Sequence, residues 1–218
     1  MYNTQSDNEL FEHLLERRRD NIYWKIMSEL RGRANDFVFQ KCIEWIASDY
    51  FKQKIIGIEV LSQLGIYERP YKNESISLFF NLLNTETDPE LLESVLIAIG
   101  HNNDMLTYEQ IKLLVSFKEH RSYKVRYGVV LSISGLTNTE AIEALLILSK
   151  DKKELVRDWA TFGLGTQIDT DTVAIREALW ERTQDIAPDI RIEAIYGLAK
   201  RGDVQVQKLI EKEFDENP

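Results

Sequence analysis

Residues 156–169 read VRDWATFGLGTQID, and residues 190–203 read IRIEAIYGLAKRGD. Laid over each other at an offset of 34, they agree in chemistry at most positions. Val156 falls on Ile190, Arg157 on Arg191, Ala160 on Ala194, Phe162 on Tyr196, Gly163 on Gly197, Leu164 on Leu198 and Asp169 on Asp203. A fixed period of this size marks a stacked repeat architecture. Stacks of helix pairs build long surfaces that mostly bind other macromolecules, so the repeat favours a binding module over an enzyme.

The same frame runs backward through Val125, Leu91 and Ile56. The marker series Ile56, Leu91, Val125, Val156 and Ile190 has spacings of 35, 34, 31 and 34. Between the markers lie second apolar segments, Ile76–Leu83, Ile111–Phe117, Ala141–Leu148 and Val173–Trp180. Their apolar residues recur at i, i+3, i+4 and i+7, the pattern of an amphipathic helix. Each unit therefore reads as helix A, a short turn and helix B. Asp88-Pro89, Ser122 and Pro188-Asp189 are suited to helix starts, and Gly65, Gly100, Gly165 and Gly202 to helix ends. No stretch alternates β-branched residues between turn signals, and four prolines in 218 residues suit uninterrupted helices. The expected fold is all-α: one α-solenoid of about five helix pairs over residues 1–218. Residues 1–50 would form an N-terminal cap and first helix, 51–203 the repeats and 204–218 a closing helix.

Composition narrows the function. The chain is 44% hydrophobic, enough for a full core. No apolar run approaches about 18 residues, so no membrane span is expected. The start, MYNTQSDNELFEHLLE, is polar and acidic, unlike a secretory signal or an Arg-rich transit peptide. Cys42 is the single cysteine and lies on an apolar helical face. It reads as a buried thiol in a reducing, cytoplasmic setting. The net charge of −9 disfavours a phosphate backbone as partner. Arg17-Arg18-Arg19 with Lys25, Arg31 and Arg33 reads as a solvated face paired with Glu12, Glu16, Asp20 and Glu29. His13, His101 and His120 lack metal-ligand spacing, and no phosphate-binding, dinucleotide or nucleophile-elbow motif occurs, so neither metal nor cofactor is expected. The run His101-Asn102-Asn103-Asp104 reads as a turn.

Segments 119–135, 151–169 and 185–203 resemble the HEAT-like repeat of phycobilin lyase subunits and of many small bacterial proteins. The shared pattern is an Asp, a hydrophobic-Arg pair, Ala, Leu, Gly or Ala, then Gly-Asp. Asp151 precedes Arg157 by six residues and Asp185 precedes Arg191 by six. The match covers roughly residues 85–203 and departs before that, where Gly57 and Leu92 stand in the Arg slot. The tetratricopeptide and ankyrin patterns are absent. The resemblance implies a right-handed superhelix with A helices outside and B helices lining a concave side. It implies no reaction, because function is not carried by fold. Two enzyme classes share this kind of repeat and supply the alternative reading: alkylpurine DNA glycosylases and bilin lyases. A sequence pI near 5.0 argues against DNA.

Arg126, Arg157 and Arg191 occupy one slot in successive units, with Asp151 and Asp185 as natural partners. A structural Asp–Arg ladder is expected there rather than a catalytic row. Projection of the B helices at 100° per residue leaves Tyr127, Leu131, Asp158, Trp159, Phe162, Ile192, Glu193 and Tyr196 opposite the apolar stripe. Ile58, Glu59, Glu93 and Ile97 continue that face earlier in the chain. Aromatic anchors with an acidic rim suit a protein or peptide of basic or mixed charge. Two other readings stand beside this one. Phe162 and Tyr196 pack between adjacent B helices as core, or a second copy of the chain covers the aromatic face. Trp159 reads as exposed, since its slot elsewhere holds Glu193, Gly128, Ser94 and Glu59. Trp24, Trp45 and Trp180 read as packing residues.

Overall fold

The computed structural model describes residues 4–65 and 68–210. Among them are twelve α-helices and no strand. Of the expected closing helix, the described part is a 3-10 turn at Val204–Val206 that runs into helical residues 207–210. Positions 211–218 lie outside the described residues.

The described residues gather into two compact units, one up to residue 102 and one from residue 103 onward. The first holds α1 (Asp7–Glu16), α2 (Asn21–Arg33), α3 (Asp36–Ala47), α4 (Phe51–Ser62), α5 (Lys72–Thr85) and α6 (Pro89–Gly100). Their starts are written in side chains. Ser6 and Glu9 form a capping box, and Asp20 and Asn35 accept N–H bonds from the first turns of α2 and α3. Asp88 accepts from the Glu90 and Leu91 N–H groups, with Pro89 opening α6. Each such cap stabilises by about 1 kcal/mol. α3 packs on α4, α4 and α5 pack on α6, and the cap helices α1 and α2 lie against each other and against α4. Phe11 meets Trp45 edge-to-face at 4.9 Å. Cys42 is buried, which pushes its thiol up. Gly57 holds the Arg slot of its repeat for a local reason. A Cβ there would stand 2.9 Å from the Cys42 carbonyl and from Ile46 Cγ1, so α3 leaves no room for any side chain. Asn102 donates to the Ser62 and Ala98 carbonyls from a buried site, consistent with a turn after α6.

The second unit holds α7 (Tyr108–Ser116), α8 (Tyr123–Ile133), α9 (Thr139–Leu148), α10 (Glu154–Phe162), α11 (Val173–Arg182) and α12 (Pro188–Lys200). α7, α9 and α11 neighbour one another in one layer, and α8, α10 and α12 in a second. The helix pairs are α7/α8, α9/α10 and α11/α12, and in the first unit α3/α4 and α5/α6. All five marker residues fall on B helices, at 0–5% exposure. Each such burial stabilises by roughly 1.5–3 kcal/mol against full exposure.

Three local expectations change. Ser122 stands at the start of α8 but makes no side-chain cap bond. Gly165 does not end a helix; it lies buried in a π-turn, Gly163–Gln167, that follows α10. Trp24 is 44% exposed, set edge-to-face on Tyr23 rather than packed inside. Trp45 is buried, and Trp180 is half-buried with its indole N–H donating to Asp203.

Candidate interaction surface

The candidate face lies on α8, α10 and α12, and the core stripe decides its register. Val125, Val129 and Ile133 point inward from α8, Val156, Ala160 and Leu164 from the α10 segment, and Ile190, Ala194 and Leu198 from α12. At 100° per residue this turns Tyr127 and Leu131, Asp158, Trp159 and Phe162, and Ile192, Glu193 and Tyr196 away from the stripe. Tyr127, Leu131, Asp158, Trp159, Phe162 and Glu193 are half-buried. Ile192 is 47% and Tyr196 54% exposed, so Tyr196 is not core. Trp159 meets Tyr127 edge-to-face at 6.1 Å and Phe162 at 5.7 Å. Such pairs add about 0.5–1.5 kcal/mol beyond area burial. They hold the indole in place and keep part of it at the surface.

The acids beside this cluster repel one another. Burial raises the Asp158 carboxyl above its ordinary range, and Glu193, Asp189, Glu154 and Asp185 push it further, in that order. Thr166 Oγ1 donates to Glu193 at 3.0 Å and fixes that carboxylate. The arrangement can hold an apolar side chain against Trp159 and a cation beside Asp158.

Behind the face the arginine slots form a regular lattice. Arg126 donates to both oxygens of Asp151 at 2.5 and 2.8 Å, and Arg157 to both oxygens of Asp185 at 2.8 and 2.9 Å. Each reaches forward to the Asp of the next unit. Each also donates to the carbonyl six residues before it: Arg126 to His120, Arg157 to Asp151, Arg191 to Asp185. Arg191 donates to the Ile186 carbonyl as well. The Asp185 carboxyl is held low by the Arg157 guanidinium, against burial, with help from the Ala187 N–H. Burial alone would raise Asp151, but the Arg126 guanidinium and the Lys153 N–H outweigh it and leave it lowered.

In the first unit Glu93 and Ile97 of α6 are half-buried, as projected for the face, and α4 departs from the projection. Ile58 is 2% exposed, and Glu59 accepts hydrogen bonds from Tyr23 and Arg19. The cap covers the Glu59 position, where a B-helix face would be open. One residue that pattern reading missed is Arg201. Its guanidinium donates to the carbonyls of Leu164, Gly165, Ile168, Thr170 and Gly197 at 2.7–3.2 Å. Nothing along its own helix signals this, because all the partners but Gly197 lie one repeat earlier. Among the described residues no group of three His, Cys, Asp or Glu is placed to hold a metal ion. No described helix is long and apolar enough to cross a membrane.

No family profile matches the chain. Protein YibA of Escherichia coli K12 is 34% identical over 221 residues, covering 97% of this chain and 76% of that protein. The X-ray structure of E. coli YibA superposes with a TM-score of 0.77 at 23% identity, over 95% of this chain and 75% of that one. A designed armadillo repeat protein superposes at 0.55 with 16% identity, over 89% of this chain and 99% of that one. A second, solved in complex with peptide (KR)4, gives 0.53 at 16% identity, over 88% and 98%. The fold is thus all-α and of the armadillo/HEAT-like helical repeat solenoid class.

Proposed function

We propose that this chain, which belongs to the YibA family, is a protein-binding scaffold whose α8–α10–α12 face takes a peptide segment of basic or mixed charge. The observation that carries this reading is the conjunction on one face of a bracketed, part-exposed Trp159 and a mutually repelling acid group centred on Asp158. Aromatic anchors in a desolvated groove supply most of the energy of such interfaces. A designed protein of the same fold class is solved with a Lys-Arg peptide, which supports the basic character proposed for the ligand here. The Asp–Arg pattern supports a HEAT-like repeat of the phycobilin lyase type, with Arg126, Asp151, Arg157, Asp185 and Arg191 as its structural ladder. The buried Cys42 supports a reducing, cytoplasmic setting.

The test is fluorescence anisotropy with a labelled Lys-Arg octapeptide, an all-Glu octapeptide and duplex DNA at low salt. The Lys-Arg peptide should bind and the all-Glu peptide should not. Trp159→Ala with Tyr196→Ala should weaken binding by about 30-fold or more, the loss of a hot spot, with circular dichroism unchanged. Equal binding by the double variant would place the site elsewhere. Tight binding to DNA would favour the glycosylase-like alternative. A dimer that the double variant abolishes would assign the face to a second copy of the chain.

A further inference from the structure

Arg31, Arg69 and His101 come together at one end of the first unit, where α2, α4 and α6 finish. Arg31 donates from Nε and Nη2 to the Glu59 carbonyl and from Nη1 to Gln63 Oε1. Arg69, in the connection between α4 and α5, donates from Nη1 to the His101 carbonyl and to Asn102 Oδ1, both at 2.7 Å. Asn102 is itself anchored on the Ser62 carbonyl at 2.8 Å. These bonds satisfy helix ends and involve no carboxylate. Among the described residues neither arginine makes an ion pair. The acid whose charge reaches Arg31 is Glu59, and that carboxylate already accepts from Arg19 and Tyr23. Two cations in a chain of net charge −9 therefore stand without a bound counter-charge.

Helix capping accounts for only part of Arg69. The comparison is Arg201, which spends Nε, Nη1 and Nη2 alike on carbonyls. Arg69 spends Nη1 alone, and its Nε–H and Nη2 groups stay accessible and unbonded among the described residues. That edge of a guanidinium is the one that grips two oxygens at once. The His101 ring beside it is exposed and takes no hydrogen bond among the described residues. Desolvation, and then the charges of Arg31 and Arg69, hold the imidazole below its ordinary range, so the three groups share one field. We propose that the open edge of Arg69 and the ring of His101 form a site for a phosphate-class oxyanion, with Arg31 adding charge from α2. A tetrahedral oxyanion can meet the guanidinium edge and the imidazole together. A planar carboxylate that fills the edge leaves the imidazole unmet.

His101 is also the reporter, because the chain has only three histidines. Their ring signals are followed by NMR across the imidazole range, in sodium chloride, inorganic phosphate and acetate at one ionic strength. His101→Gln assigns the signal, and His13 and His120 are the controls. Phosphate should raise the His101 midpoint by about one pH unit, as an opposite charge brought close does, and acetate by several-fold less. Arg69→Lys keeps the charge and loses the two-point edge. It should leave the midpoint in chloride near wild type and cut the phosphate response several-fold. Arg69→Gln removes one repelling charge, so it should raise the midpoint in chloride and abolish the response. Melting curves confirm that the variants fold. The site is overturned if phosphate moves His101 no more than His13 and His120, or if Arg69→Lys responds as wild type does. An equal response to acetate would overturn the phosphate class.

Discussion

Segments 156–169 and 190–203 carry nearly one sequence and two backbones. α12 runs on as α-helix to Lys200, and Gly202 closes it at φ 69°, with N–H bonds from Arg201, Gly202 and Asp203 returning to its last carbonyls. The residue at the Gly202 position one repeat earlier is Ile168, and a β-branched residue does not adopt the left-handed region. Ile168 is extended instead, at φ −123° and ψ 149°. The chain leaves α10 through the π-turn, and its carbonyls are taken from outside, by Arg201 and by Lys200 on Thr166. A single Gly-to-Ile exchange moves helix termination from the backbone to the neighbouring repeat. π-turns of this sort cluster at functional sites. This one sets Thr166 against Glu193, on the acidic edge of the candidate face.

The two repeats that carry these segments are also joined by charge, through Arg157 and Asp185, and the largest effect is expected there. Arg157→Ala strips one partner from Asp185, whose side chain is 4% exposed. Losing a partner of a buried pair costs several kcal/mol. Arg182 and the Ala187 N–H still hold Asp185, so the expected loss is about 2–3 kcal/mol, or about 5–10 °C in Tm for a chain of this size. An unchanged Tm would show that the ladder does not fix the stacking. The pH sign is defined. Asp151 and Asp185 have lowered folded pKa values, so their contribution is present above the ordinary carboxylate range and is lost as pH falls through the folded values.

Gly163 and Gly197 sit in one sequence slot, yet they should respond differently to the same substitution. A Cβ on Gly197 meets Gly165 Cα at 2.6 Å, backbone that cannot yield without moving a helix. A Cβ on Gly163 meets Leu145 methyls at 3.3–3.4 Å, which can rotate aside. Gly197→Ala should therefore cost about 2 kcal/mol. Gly163→Ala should stay within about 1 kcal/mol of wild type, because the helix-propensity gain of Ala offsets the tighter contact. Urea denaturation of the two variants decides this, and equal effects would mean the two backbones are not distinct.

This contrast also marks how much was legible in the sequence. The helix pairs were, because burying a 3.6-residue stripe needs only the residues that carry it. Ile56, Leu91, Val125, Val156 and Ile190 read as core from one chain alone. The π-turn was not, because Ile168 only removes the ordinary helix end, and the partners that take the freed carbonyls, Arg201 and Lys200, lie one repeat away. Ile58 was misread for a similar reason: it lies with Ile46 of α3, Leu82 of α5 and Leu91 and Val95 of α6, while its neighbour Glu59 is taken by Tyr23 of α2 and by Arg19. Tyr196 and Phe162 share a slot and differ in burial, since Trp159 lies against Phe162 alone of the two in its ring contacts. Periodicity reports which side of a helix faces inward and is silent on what stands across from the other side.

The smallest expected effect separates stability from binding at Asp158. Both repeats place acids at this point of the fold, Asp158 in one and Asp189 and Glu193 in the next, and Asp158 is raised by burial and by their repulsion. A raised acid favours its neutral form, so its folded-state environment supports folding at low pH, and that support is lost as pH rises through the folded pKa. Asp158→Asn removes the charge at neutral pH, so the variant should be slightly more stable than wild type at pH 7. The difference should shrink as pH falls from 7 to an acidic value below the raised folded pKa, where the native carboxyl is also neutral. Denaturation midpoints of both proteins at the two pH values measure it. A gap of one size at both would mean that the charge is not the cause. A gap that closes, in a variant that also binds the Lys-Arg peptide more weakly, would mean that the acids are kept at this site against the interest of the fold, as binding residues often are.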